Sequence, residues 1–204
     1  MRINKKKFIY LISPNKIYPE FYHDLNQILR TGKVALFQLR LKKYSLKQKI
    51  VIGKKIQQIC KKNNIKFIVN DDPILSKTLN ADGCHLGQKD MDIKNARKII
   101  GKKIIGVTCH NSIKLAKAAI KENADYIAFG AFFSTKTKKV IFKADIKILN
   151  KIKKLTKTPI VAIGGINFDN YKKLLLNNAN LLAISSYVWN NKKYKPLEAT
   201  EKLK

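Results

Sequence analysis

Two carboxylates, Asp71 and Asp90, and three cations, Arg40, Lys42 and Lys138, all follow the ends of short apolar runs. Residues 34 to 39 (VALFQL) end at Arg40 and Lys42, and residues 65 to 69 (IKFIV) end at Asn70 and Asp71. Residues 84 to 88 (CHLGQ) lead to Asp90, and residues 126 to 133 (YIAFGAFF) lead to Thr135, Thr137 and Lys138. Paired carboxylates beside Asn70 suit Mg2+, a hard cation that keeps several waters and takes phosphate oxygens as its other ligands. A carboxylate-bound metal facing a cluster of cations is an arrangement for a diphosphate leaving group. The plainer reading makes Asp71 and Asp90 helix caps, as Asp72-Pro73 and Asp92 look to be, and the lysines solvated surface charges. Arg40 stands apart from that reading, because arginine is scarce here and this one terminates an apolar run.

A second constellation follows the run at 160 to 163 (IVAI), where Gly164-Gly165-Ile166-Asn167 is joined later by Ile184-Ser185-Ser186. Glycines let backbone N–H groups approach phosphate oxygens, and a helix N-terminus adds positive potential. The plain alternative is a tight strand-to-helix turn. His23, His85 and His110 have no acid or nucleophile partner visible in the sequence and read as structural, with His110 of interest for its place at the end of a run beside Thr108.

The elements that must position these groups follow from period. Strand-like runs lie near 8 to 12, 34 to 40, 65 to 70, 83 to 88, 104 to 108, 125 to 132, 159 to 164 and 181 to 185. Helical spacing lies between them: Leu46, Ile50, Ile56 and Ile59 after a Ser45 cap, and Ile146, Leu149 and Ile152 after Asp145. Shorter helices fit Pro73 to Leu79, Ile93 to Ile100, Ser112 to Lys121 and Asp169 to Leu176. Asn80-Ala81-Asp82, Asn123-Ala124-Asp125 and Asn178-Ala179-Asn180 form a weak repeat that closes a helix and opens a strand, with Asn suited to the left-handed turn. Eight strand-helix units predict an α/β fold, a single (β/α)8 TIM barrel, occupying 1–204 as one domain. Chemistry in that fold sits at the C-terminal ends of the strands, where the polar groups lie.

Composition narrows the partners. The net charge of +30 would suggest nucleic acid, yet only four of the 43 basic residues are arginine (Arg2, Arg30, Arg40, Arg97) and the lysines are spread over every predicted helix. Readers of bases and phosphates favour the forked guanidinium, so neither a nucleic-acid nor a membrane partner is expected. No apolar stretch approaches the roughly 18 residues of a membrane span, and a cytoplasmic protein is expected. Cys60, Cys84 and Cys109 suit neither a disulfide framework nor a zinc site and read as buried packing.

Taken in order, Gln38-Leu39-Arg40-Leu41-Lys42, Asn70-Asp71, Ala81 to Asp90, Gly106 to His110, Thr135-Lys136-Thr137-Lys138 and Ala162 to Ile166 resemble thiamine phosphate synthase. The resemblance implies coupling of 4-amino-2-methyl-5-(diphosphomethyl)pyrimidine to a thiazole phosphate, giving thiamine phosphate and diphosphate, with Mg2+ as cofactor. It also implies roles. Gln38, Leu39, Arg40, Leu41, Lys42 and Asn70 would bind the pyrimidine diphosphate, Asp71 and Asp90 would hold Mg2+, and Thr108 and Lys138 would contact the diphosphate. Thr135, Lys136, Thr137, Gly165, Ile184 and Ser185 would bind the thiazole phosphate, while Lys138, Arg40 and Lys42 would carry the catalysis. Leu41 replaces a Glu found in many members, Thr108 a commoner Ser, and Gly130-Ala131 a Gly-Pro. A TenI-like thiazole phosphate tautomerase on the same fold is the alternative; it would not need the metal and diphosphate cluster. The oligomeric state, a homo-oligomer included, is left open.

Overall fold

Continuous apolar runs bury both faces of their strands, which only a parallel sheet covered by helices permits. The structure, a computed structural model, describes residues 6–134 and 142–204. Its strands are β1 (Ile9–Ile12), β2 (Val34–Leu39), β3 (Lys66–Asn70), β4 (Gly83–Leu86), β5 (Ile104–His110), β6 (Tyr126–Phe129), β7 (Ile160–Ile163) and β8 (Leu181–Ile184). Each pairs in parallel with the next, and β8 pairs with β1, closing the expected (β/α)8 barrel. Around it run α1 (Phe21–Arg30), α2 (Leu46–Lys62), α3 (Pro73–Thr78), α4 (Ile93–Ile100), α5 (Ile113–Lys121), α6 (Lys147–Lys153) and α7 (Tyr171–Leu176), followed by α8 (Ser186–Trp189) and α9 (Pro196–Lys202). No helix among the described residues is long and apolar enough to cross a membrane.

The local signals act as their chemistry dictates. Ser45 and Gln48 form a reciprocal capping box at the start of α2, and Asp72 and Asp92 accept the Leu75 and Asn95 N–H groups, each at 2.8 Å. Such caps contribute about 1 kcal/mol each. Asp145 binds the Lys147 N–H instead of capping from the position before the helix. β6 stops at Phe129, short of the expected 132, because Ala131 leaves the barrel ladder to pair with Phe142 and Ala144. The short α8 and α9 had no periodic signal of their own.

Two apolar layers result. Tyr10, Ile12, Leu36, Ile68, Tyr126, Ala128, Val161, Leu181 and Ala183 fill the barrel interior. Leu11, Phe37, Leu39, Phe67, Val69, Ile127 and Leu182 face the helices, as do the thiols of Cys84 and Cys109, and Cys60 packs into the same layer from α2. Burial raises all three thiol pKa values, that of Cys109 to about 12, so they behave as packing groups.

The Asn-Ala-Asp/Asn repeat holds the strands in register. Asn80, Asn123 and Asn178 take φ values of 46°, 62° and 73°, the left-handed turn that Asn tolerates. The third residue then pins the preceding strand by two hydrogen bonds. Asp82, Asp125 and Asn180 side chains accept the Phe67, Ile105 and Ile160 N–H groups at 2.9, 2.8 and 2.8 Å. Their own N–H groups return to the carbonyls of those same residues at 2.8, 2.7 and 2.8 Å. Arg97 reinforces one pin, donating to Asp125 Oδ2 at 2.9 Å and to the Asn123 carbonyl.

Replacing Asp125 with Ala leaves the Ile105 N–H and the Arg97 guanidinium without their shared acceptor. We expect a loss of about 2 kcal/mol in urea unfolding, with the circular dichroism of the folded state unchanged.

Candidate active site

Strand period and register decide which side chains reach the mouth at the C-terminal ends of the strands. Leu36 faces the interior, so Gln38 and Arg40 do too; by the same alternation Asn70 follows Ile68, and Ser185 follows Ala183. Leu39, Leu41 and Ile184 point the other way, into the helix-facing layer, with 3%, 4% and 2% of their surface exposed. Of the expected ligand-binding residues, these three can meet a ligand in the mouth only through their backbone. The backbone around Arg40 is tied to neighbouring strand ends: its N–H donates to Ser13 Oγ at 2.9 Å, while the Ser13 carbonyl accepts from Ser185 Oγ at 3.2 Å. Ser13, itself buried, thus joins the end of β2 to the end of β8.

The two expected carboxylates do come together. Asp71 follows β3 with a φ of 63°, and its N–H donates to the His85 carbonyl at 2.7 Å, which turns its side chain toward the end of β4. Asp90 loops back over Gly87, accepting that residue's N–H at 2.7 Å. Desolvation first, and then the shared hydrogen bond and like charge of Asp71, hold the Asp90 carboxyl above the usual carboxylate range. Lys42 opposes this, its Nζ lying 3.5 Å from Asp71 Oδ2. Among the described residues no group of three or more His, Cys, Asp or Glu side chains gathers as a metal cage. Two mutually repelling carboxylates at an open rim are a donor set for a hard cation that completes its shell with water and ligand oxygens.

Across the mouth, Gly164 and Gly165 take φ values of 105° and 61°. A Cβ on Gly165 would overlap the Ser134 carbonyl oxygen, so only glycine fits this turn. The helix after the turn, α7, begins only at Tyr171 and cannot lend its N-terminus to the glycines. The element that starts at the rim is α8, directly after Ser185. Thr135, Lys136, Thr137 and Lys138 lie outside the described residues. His110 packs against Phe142 with ring centroids 4.2 Å apart, and His23 bonds Gln27 on the exposed side of α1.

Beneath the mouth lies a buried polar layer that the sequence reading missed. Gln38 Nε2 donates to the Tyr10 hydroxyl at 2.7 Å, and the Tyr10 and Tyr126 hydroxyls are 2.8 Å apart. Tyr126 meets His85 Nδ1 at 2.9 Å, and His85 Nε2 meets Thr108 Oγ1 at 2.8 Å. Gly106 makes this possible. It lies in register between His85 and Tyr126, and a Cβ there would overlap the Tyr126 ring. In its absence the His85 and Tyr126 rings stack across β5, their centroids 5.6 Å apart and tilted by 13°. Burial, aided by Arg40 and opposed by Asp90, pushes the His85 pKa down to about 4. The imidazole is therefore neutral at neutral pH.

Comparison with known proteins places this geometry. The family model described as thiamine monophosphate synthase matches residues 9–188. The thiamine-phosphate synthase of Pelagibacter ubique is 65% identical, with 100% of both chains covered. That of Erythrobacter litoralis is 40% identical over 89% of this chain and 87% of its own. Among solved structures, the thiamine phosphate pyrophosphorylase of Pyrococcus furiosus superposes with a TM-score of 0.84 at 31% identity, covering 98% of this chain and 94% of its own.

The depressed His85 pKa sets a pH dependence of stability. In the unfolded chain the imidazole takes up a proton near its ordinary 6.5, but in the fold only near 4. Between those values the unfolded state holds more protons, so stability falls as pH drops through that window. The loss should approach about 3 kcal/mol at its acid end in urea titrations, and His85→Phe should abolish that component.

Proposed function

The chain belongs to the thiamine monophosphate synthase family, and from that membership we infer a transferase that joins an aminopyrimidine methyl diphosphate to a thiazole phosphate, releasing diphosphate. The observation that carries this reading is the meeting of Asp71 and Asp90 beside Lys42, across one mouth from the Gly165 turn and Ser185. Two anionic substrates need two differently charged regions, and the rim supplies them. The TenI-like tautomerase would have no need of the carboxylates and cation that meet at this rim.

Asp71 and Asp90 would hold Mg2+ together with water and diphosphate oxygens. When bound, the ion neutralises charge that develops on the diphosphate. Arg40 and Lys42 bring two further cations to the same edge, and Lys138 is proposed as a third. Gln38 and Asn70, facing inward, would seat the pyrimidine, while Thr108 would give a hydrogen bond to the diphosphate. The Gly165 backbone and Ser185, with Thr135, Lys136 and Thr137, would bind the thiazole phosphate. Leu39, Leu41 and Ile184 would line these seats through their backbone.

In the reaction, the bond between the pyrimidine methylene and the diphosphate oxygen breaks with its electron pair going to the diphosphate. The aminopyrimidine ring delocalises the resulting cation, and the thiazole nitrogen lone pair forms the new carbon–nitrogen bond. Neither step requires a protein base or nucleophile, in keeping with a site rich in charge and poor in acid-base pairs. Positioning and stabilisation of the departing charge are the protein's contributions.

Incubation with both substrates and Mg2+ should yield thiamine phosphate and diphosphate in equal amounts; no product from the folded protein would overturn the assignment. Lys138→Ala should lower kcat by about a hundredfold with little change in KM for thiazole phosphate, consistent with a contact made to the leaving charge. An unchanged kcat would remove Lys138 from the mechanism.

A further inference from the structure

We propose that His85 is a positioning residue which commits the Thr108 hydroxyl to donate into the mouth, through a one-way hydrogen-bond relay that starts at Gln38. The inference rests on the synthase reading for its catalytic consequence, but the relay itself follows from geometry.

Gln38 Nε2 can only donate, so the Tyr10 hydroxyl accepts there. Tyr10 is 1% exposed, and among the described residues the one other group placed to take its hydrogen is the Tyr126 hydroxyl, 2.8 Å away. Tyr126, having accepted, gives its own hydrogen to His85 Nδ1 at 2.9 Å. A neutral imidazole that accepts at Nδ1 carries its proton on Nε2, and that proton goes to Thr108 Oγ1 at 2.8 Å. Thr108 thus accepts from below, and its hydroxyl hydrogen is left for an acceptor above it. The reverse order would make Tyr10 accept twice and bury its hydrogen without a partner, which is costly.

Each link crosses the barrel interior, from β2 through β1, β6 and β4 to β5. The stack of His85 on Tyr126 over Gly106 fixes the ring plane that this handing-on needs. For an anionic diphosphate, a hydroxyl committed to donation is favourable; one that had donated downward to His85 would turn lone pairs toward the anion. The same logic explains why the position tolerates Thr: only the hydroxyl is used, and the methyl group is incidental. His85 would act without touching the reacting atoms.

Two measurements test this. The chain has three histidines, so 15N-histidine labelling gives a readable two-bond 15N–1H spectrum. We expect His85 with a protonated, pyrrole-type Nε2 and a bare, pyridine-type Nδ1; the opposite tautomer would overturn the relay. The second is kinetic and uses Tyr126→Phe, which keeps the ring and its stacking but removes the link. We expect roughly a tenfold fall in kcat with KM for thiazole phosphate unchanged. The same change made in Thr108→Val should cost nothing further, whereas in Thr108→Ser the tenfold loss should reappear. Losses that multiply in the Thr108→Val background would show that Tyr126 acts on packing and not through Thr108. A wild-type protein that makes no thiamine phosphate would sink the synthase reading alone, because the tautomer is read without substrate.

Discussion

Strand register is the constraint on which everything at the mouth depends. A side chain in a barrel faces either the interior or the helices, so a slip of one residue in β2 would send Gln38 and Arg40 outward and bring Leu39 in. β2 is tied at the mouth, through the Arg40 N–H and Ser13, whereas β3, β5 and β7 are held at the opposite end of the barrel. There Asp82, Asp125 and Asn180 each bind the first part of the preceding strand through both side chain and backbone. Within each pinned pair, the relative height of the two strands is set locally, by residues that neighbour each other in space and lie no more than about 20 positions apart in the chain. For the groups carried by these strands, Asn70 and Thr108 among them, position at one end is thus set by polar contacts at the other.

The electrostatics of the rim turn on an imbalance. Asp71 and Asp90 repel one another, desolvation adds to the cost, and Lys42 compensates in part from 3.5 Å. In a chain of net charge +30 the surrounding field favours these anions, and it equally favours any phosphate that arrives. Two carboxylates leave most of a hard cation's shell unfilled. In the proposed reading the substrate's own oxygens would complete it, which would couple binding of metal and diphosphate. The far side has a glycine turn and a serine, and in the proposed reading it would receive the thiazole phosphate, so that the two substrates would be sorted by the chemistry of their edges.

Much of this was legible in the sequence, and the reasons are physical. The eight runs were readable because parallel strands are apolar on both faces, and the Asn residues of the repeat because few other side chains accept a positive φ. The carboxylate pair was readable because Asp71 directly follows β3 and Asp90 lies in the short loop after β4. The same two-sided burial hid the rest. In the wholly apolar part of a run, such as VALF, nothing marks which face is inside; only the alternation of Gln38 and Arg40 with Leu39 and Leu41 shows it, and there the apolar partners turn to the helices. Tyr10 and Tyr126 read as core, and they are core; that their hydroxyls meet, 116 residues apart in sequence, depends on closure of the barrel. His85 was classed as structural because its partners are distant in sequence. Gly106, directly in register with it, was the available clue to a large ring next door.

The central claim is that this mouth brings Mg2+ and diphosphate together at Asp71 and Asp90, each completing the site for the other. Calorimetric titration of Mg2+ into the protein, with and without saturating inorganic diphosphate and corrected for Mg2+ binding by free diphosphate, tests it directly. The account predicts weak binding alone and at least about tenfold tighter binding with diphosphate. That enhancement should be lost when Asp71 and Asp90 are both changed to Asn. Equal Mg2+ affinities in the presence and absence of diphosphate would contradict it.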